Sequence, residues 1–212
     1  MQAITQGRIA RKEREKLRCR SEILAAASKL FARHGIASTS MKQIADETDM
    51  SVGKLYACFR GKEEIVRELL EDSIRSMLHR GDEACSETDP PLVQLRCRLA
   101  AVIDHFKCNM DFLTIYHNES PMSCEGIIRK HLDHSIDTAA GLLEQAIRDG
   151  DLSPEEPRTL AVVLVGSVHE LMHEFGERGD RGALDRIPAV IDRIIMKPIE
   201  ARRTKESGLE GR

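Results

Sequence analysis

The sequence has no tryptophan, and its two tyrosines and five phenylalanines bring aromatic residues to only 3 % of 212. So few rings favour a hydrophobic ligand over a flat polycyclic cation, whose recognition depends on aromatic faces. No stretch approaches the roughly 18–20 unbroken apolar residues of a membrane span, and the N-terminus lacks the apolar core of a signal peptide. A cytoplasmic protein without membrane contact is expected. The six cysteines are scattered, with no C-x-x-C pair, so a metal ribbon or a dithiol redox motif has no sequence basis, and reduced thiols are expected. No run alternates apolar and polar with period two over the length of a strand, which leaves helical periodicity throughout.

What the chain has is helix-forming residues and charge. Charged residues make up 32 % and apolar residues 41 %, enough for a soluble helical surface over a core. Net charge is −3, unevenly spread: residues 1–61 carry 12 Lys/Arg against 6 Asp/Glu, and the remainder carries 20 against 29. A basic first third on an acidic remainder is the footprint of a nucleic-acid binder with an appended module.

The basic third contains the most organised stretch, residues 40–62, SMKQIADETDMSVGKLYACFRGK. Met41, Ile44 and Ala45 form one apolar set at helical spacing; Val52, Leu55, Tyr56 and Phe59 form a second. Only Thr48, Asp49 and Met50 stand between them. Two short amphipathic helices across so brief a break predict a helix-turn-helix, whose second helix enters a DNA major groove. The outer edge carries Thr39, Ser40, Lys42, Ser51, Lys54, Tyr56 and Lys62, the hydroxyls and amines that hold phosphates. Ser51, Val52, Gly53 and Lys54 at the start of the second helix (about Val52 to Cys58) are placed nearest the bases.

Residues 20–66 resemble the DNA-binding domain of the tetracycline-repressor (TetR) family. The resemblance rests on Ile23, Leu24, Ala27 and Leu30-Phe31, then Gly35, Thr39-Ser40-Met41, Ile44-Ala45, Ser51-x-Gly53-x-Leu55-Tyr56-x-x-Phe59 and Lys62-Glu63-Glu64. Three positions depart from the family pattern. Asp49 stands where glycine is usual in the turn, Lys54 where threonine is frequent, and Ala57-Cys58 where a histidine or aromatic residue is common, leaving a thiol near the DNA face. The resemblance implies an all-α fold, with an N-terminal three-helix helix-turn-helix domain and a larger helical C-terminal ligand-binding and dimerisation domain. It also implies an operator of double-stranded DNA, a small-molecule effector and a homodimer.

The expected layout is a basic arm over 1–16, the DNA-binding domain over 17–77, the ligand-binding and dimerisation domain over 78–200 and a polar tail over 201–212. Helix one runs to about Arg33, and helix four opens at Lys62. Helix five spans about Pro91 to Asn109, a short segment covers Asp111 to Ser120, and helix seven spans Cys124 to Arg148. Ser153-Pro154-Glu155-Glu156 reads as a capping box that opens helix eight. A last helix, the ninth, covers about Ala183 to Met196. Helices eight and nine, apolar and adjacent, are the expected homodimer interface. By the resemblance the effector pocket lies among helices four to eight; Leu99, Ile103, Phe106, Met110, Phe112, Tyr116 and His117 are its candidate lining, aliphatic enough to favour a hydrophobic ligand.

Two other function classes have sequence support. His169-Glu170-Leu171-Met172-His173 matches H-E-x-x-H, which on a helix brings two imidazoles to one face, as a zinc hydrolase requires; a third ligand is not evident, and surface or interface histidines are the plainer reading, with a regulatory metal at these or at His131 and His134 a lesser option. Cys97, Cys108 and Cys124 would serve a thiol sensor only with exposure and a lowered pKa, and buried small hydrophobes are the simpler reading. No catalytic residue, resident metal or cofactor is therefore expected.

Overall fold

The computed structural model describes residues 2–109, 124–152 and 156–197, and its described residues contain helices and no strand. Helix α1 (Gln2–His34) sets the frame. It is continuous through the basic stretch expected as an arm, so residues 2–16 extend the helix. Ile23, Ala27, Leu30 and Phe31 on its inner stripe are all buried. Gly35 ends it with φ 80°, a conformation glycine adopts without a Cβ penalty, and the Gly35 N–H returns to the Phe31 carbonyl at 2.8 Å.

Helix α2 (Met41–Glu47) starts from a reciprocal cap. Ser40 Oγ accepts the Gln43 N–H at 3.2 Å, and the Ser40 N–H donates to Gln43 Oε1 at 2.8 Å. The following turn depends on Asp49, whose φ is 53°. Aspartate tolerates this left-handed region better than most side chains, so the turn survives without the family's glycine. Ser51 then caps α3 (Val52–Cys58), its hydroxyl accepting the Lys54 N–H at 3.2 Å. Leu55 and Phe59 are fully buried and anchor α3 and the residue after it on the α1–α2 pair.

Helix α4 (Lys62–Glu83) leaves this small domain and continues into the remainder. Its Ile65, Val66 and Leu70 belong to the N-terminal core, and Ile74 and Met77 are buried further along the helix. Helices α5 (Pro91–Cys108), α6 (Glu125–Arg148) and α7 (Pro157–Glu177) complete a bundle with α4. The Ser73 hydroxyl meets His105 Nε2 at 2.9 Å between α4 and α5, and Arg158 donates to Asp137 at 2.7 Å between α7 and α6. Among the described residues no helix is long and apolar enough to cross a membrane.

Two boundaries differ from expectation. Helix α7 begins at Pro157, and Glu156 is its cap, accepting the N–H groups of Arg158 and Thr159. Proline suits a first helical position because its missing N–H would have no intrahelical partner there, and Pro157 satisfies this as well as Pro154 would; residues 153–155 lie outside the described residues. The last helix is broken into α8 (Arg181–Leu184), α9 (Ile187–Ile191) and a π-helical turn over Asp192–Met196. Pro188 accounts for the break, since its ring would collide with the carbonyl of Leu184 four residues earlier in an unbroken helix. Arg96 of α5 donates to Asp192 at 2.8 Å, tying the final turn to the bundle.

Candidate nucleic-acid interface and effector cavity

The buried anchors of α3 fix which of its residues face outward. Val52, Gly53, Lys54 and Tyr56 are exposed, Tyr56 at 52 % and Val52 at 39 % although both are large and apolar in body. Ser40, Lys42 and Ser51 are exposed beside them. An apolar residue and a tyrosine held in water on a short helix, flanked by amines and hydroxyls, have no use in the monomer's packing. In a major groove an apolar side chain can meet thymine methyl groups, and polar ones can meet phosphates.

Two of the expected phosphate contacts are otherwise engaged. Thr39 is only 1 % exposed, and its hydroxyl donates to the Gly35 carbonyl at 2.8 Å. The reason is geometric: the α1–α2 loop leaves carbonyls unpaired, and a buried hydroxyl satisfies one. Lys62 Nζ donates to the carbonyls of Ile36 and Ala37 at 2.7 and 3.1 Å, fastening the start of α4 to the same loop. Both residues therefore brace the reading head from within.

Arg20 makes a third brace. Its guanidinium pairs with the Glu68 carboxylate, donates to the Cys58 carbonyl at 2.5 Å and stands 4.1 Å over the Phe59 ring. One side chain of α1 thus holds the C-terminal end of α3 against α4. The Cys58 thiol turns inward and lies 3.4 Å from Cys19 Sγ, which is itself 3.6 Å from Met50 Sδ. Burial, with the Cys58 thiol beside it, pushes the Cys19 thiol up from its ordinary pKa, so this sulfur cluster behaves as packing between α1, α3 and the turn. Of the cysteines weighed as sensors, Cys124 is buried, Cys97 half-buried and Cys108 exposed, so the expectation that all three are buried fails at the end of α5.

The bundle holds a partly open cavity of about 140 Å³ between α4, α5, α6 and α7. Leu99 and Phe106 line it as expected. Ile103 is buried in the core but is not among the lining residues, and Met110, Phe112, Tyr116 and His117 lie outside the described residues. The wall also includes residues not placed there from the sequence: Arg98, His131, His134 and His169. His169 was expected at a surface or interface. It is half-buried against the cavity, with its pKa lowered chiefly by burial. His131 is lowered to about 4, by burial first and then by His134 and His169, so it is a neutral imidazole at neutral pH. The available signal was their register: His131, Ser135, Thr138 and Ala139 share one face of α6 at spacings of three and four. Among the described residues no three His, Cys, Asp or Glu side chains converge as metal ligands would.

Comparisons with known proteins meet this geometry at its reading head. The model for bacterial regulatory proteins of the tetR family matches residues 23–69, the span from the inner stripe of α1 into α4. Residues 23–69 carry a TetR-family DNA-binding domain. The HTH-type transcriptional regulator YhgD of Bacillus subtilis (strain 168) is 22 % identical over 84 % of this chain and 95 % of its own length. The "Probable acrEF/envCD operon repressor" of Escherichia coli (strain K12) is 27 % identical over 87 % of this chain and 89 % of its own. Among solved structures, the transcriptional regulator FadR from Bacillus subtilis in complex with stearoyl-CoA superposes with a TM-score of 0.72 at 16 % identity, covering 82 % of this chain and 96 % of that one. The chain is similar to these proteins along nearly their whole length, beyond the reading head alone.

Proposed function

We propose that this TetR-family protein is a homodimeric transcriptional repressor, released from a pseudo-palindromic operator by a small hydrophobic effector. The observation that carries the DNA-binding half is the outward row Val52, Gly53, Lys54 and Tyr56 on a helix pinned from behind by Leu55 and Phe59. Ser40, Lys42 and Ser51 supply phosphate contacts at the flanks, and the helical basic stretch of α1 adds positive charge. The functional layout is a reading head over 17–77 preceded by the basic segment 1–16, and a regulatory part over 78–200.

One reading head makes few base contacts, and two related by a two-fold axis read half-sites about 34–36 Å apart. Helix α7 and the terminal α8–α9 segment, which correspond to the eighth and ninth helices expected from sequence, are the proposed interface. Val162 and Val163 on α7 and Ile194 near the end are large, apolar and exposed in the single chain, as an isologous helical interface requires.

The cavity supplies the effector half. Its wall includes Met77, Leu78 and Gly81 of α4, and only three residues separate the end of α3 from the start of α4. A ligand that prefers one setting of α4 by a few kcal/mol shifts the spacing of the two reading heads. That FadR of Bacillus subtilis holds stearoyl-CoA supports a hydrophobic ligand here. The deciding experiment is fluorescence anisotropy on the protein's own upstream intergenic region, titrated across salt, with Tyr56→Ala as control. Tight, salt-steep binding lost in the control is the expected result; affinity equal to random DNA, in unbiased site selection as well, would overturn the reading.

A further inference from the structure

The wall of the cavity is apolar through Leu95, Leu99, Val102, Leu164, Val168 and Met172, and two atoms interrupt it. Arg98 Nε and His131 Nδ1 are both buried, and neither has a hydrogen-bond partner. Both residues line the same cavity from facing helices, α5 and α6. Orphaned buried polar atoms are rare in folded proteins and each needs a reason; two at one cavity have a common one. An arginine Nε–H only donates. The His131 ring is neutral, with one donor and one acceptor nitrogen, and the tautomer protonated at Nδ1 donates into the cavity. The other polar groups around them are His134, Ser135, Thr138 and His169. Among the described residues the one carboxylate on the wall, Asp82, already accepts from Arg98 Nη1 at 2.5 Å. None of these groups meets Arg98 Nε or His131 Nδ1.

Resting on the reading of this cavity as the effector site, we propose that the effector is an apolar molecule ending in a carboxylate, seated with its head between Arg98 and His131. A carboxylate carries two acceptor oxygens and matches the guanidinium fork better than any neutral head. It is also the same chemistry as Asp82, so it competes for Arg98. Asp82 lies in the last turn of α4, and its side chain is 66 % exposed, so it releases into water at little cost. The Arg98–Asp82 pair is the tie between α5 and the end of α4, and Arg98 packs at 4.0 Å from where a side chain on Gly81 would begin. Loss of that tie frees the far end of the helix that carries the reading head. Recognition of the head group and the signal to DNA are then one exchange of carboxylates.

The test is isothermal titration of the full chain with octanoic and 4-phenylbutanoic acids and, for each, the matching alcohol, methyl ester and amine. The acids bind about tenfold or more tighter than the alcohols, the margin of a charge-assisted hydrogen bond. Arg98→Met brings the acids down to the alcohols' level and leaves the alcohols unchanged. Asp82→Asn, which removes the competitor and keeps Arg98, tightens the acids alone and keeps the test decisive if Arg98→Met fails to fold. Leu99→Trp, which fills the cavity, abolishes every ligand. Alcohol, ester or amine binding as tightly as the acid, still blocked by Leu99→Trp, overturns the carboxylate while the effector cavity stands. No binding by any compound, or binding that persists in Leu99→Trp, overturns the cavity reading and the carboxylate with it.

Discussion

Thr39 and Lys62 show how a polar residue beside a DNA-reading helix can serve the fold instead of the phosphate. The Thr39 hydroxyl satisfies a loop carbonyl in the interior, so Thr39→Val should cost about 1 kcal/mol in chemical denaturation. It should leave the salt dependence of DNA binding unchanged; a reduced salt slope in that variant would return Thr39 to the phosphate contacts. Lys54, by contrast, makes no side-chain contact that competes with DNA, and Lys54→Ala is expected to lower the slope of log affinity against log salt by about one unit. Relaxed sequence preference with an unchanged slope would instead make Lys54 a base reader. Asp49 pays a conformational cost for its φ of 53°. Asp49→Gly should therefore raise stability by a few tenths to about 1 kcal/mol in denaturant titration, and a β-branched residue there should lower it.

The elements of the reading head were legible because their signals are local. Caps, a left-handed turn and apolar spacing of three and four fix α2 and α3 from the residues within them, and α3 occupies the expected 52–58. Elements failed where two local signals competed or one was underweighted. Pro154 and Pro157 both fit a helix start, and Glu156 decided for the second by reaching back to the Arg158 and Thr159 N–H groups. Pro188 divides a run whose apolar spacing reads as one helix. Exposure of Val162, Val163 and Ile194 appears only once α7 has chosen its inner face, and it makes a prediction at this scale. Val163→Asp should convert a dimer to monomers in analytical ultracentrifugation and weaken operator binding steeply, with helicity kept by circular dichroism. A dimer that survives this change and Ile194→Asp would place the interface elsewhere.

At the scale of the whole molecule, the bundle's histidines tie stability to pH. His131 titrates near 4 in the folded chain and near 6.5 when unfolded. Between those values the unfolded chain binds the extra proton, so acidification favours unfolding. His105 and His169, lowered chiefly by burial, act in the same direction. Stability should be full above about pH 6.5 and fall by an amount on the order of 2–3 kcal/mol toward pH 4, read as the shift of the denaturation midpoint. His131→Leu should flatten that fall, and a slope unchanged in the variant would mean that His131 is solvated.

The sequence alone determined the helical class, the helix-turn-helix and its resemblance to the TetR family, because each is written in short-range patterns: periodicity, capping residues and turn residues. It also determined that a ligand site here would be aliphatic, since composition limits the rings available to it. Tertiary structure decided what depends on residues far apart in the chain. It tied Thr39 and Lys62 to loop carbonyls, turned the Cys58 thiol to Cys19, set Arg20 across Glu68, Cys58 and Phe59, and brought Arg98 and His131, 33 positions apart, to one cavity. A side chain's type tells what it can bond, and only the packing of helices decides whether its partner is the protein itself, water, DNA or a ligand.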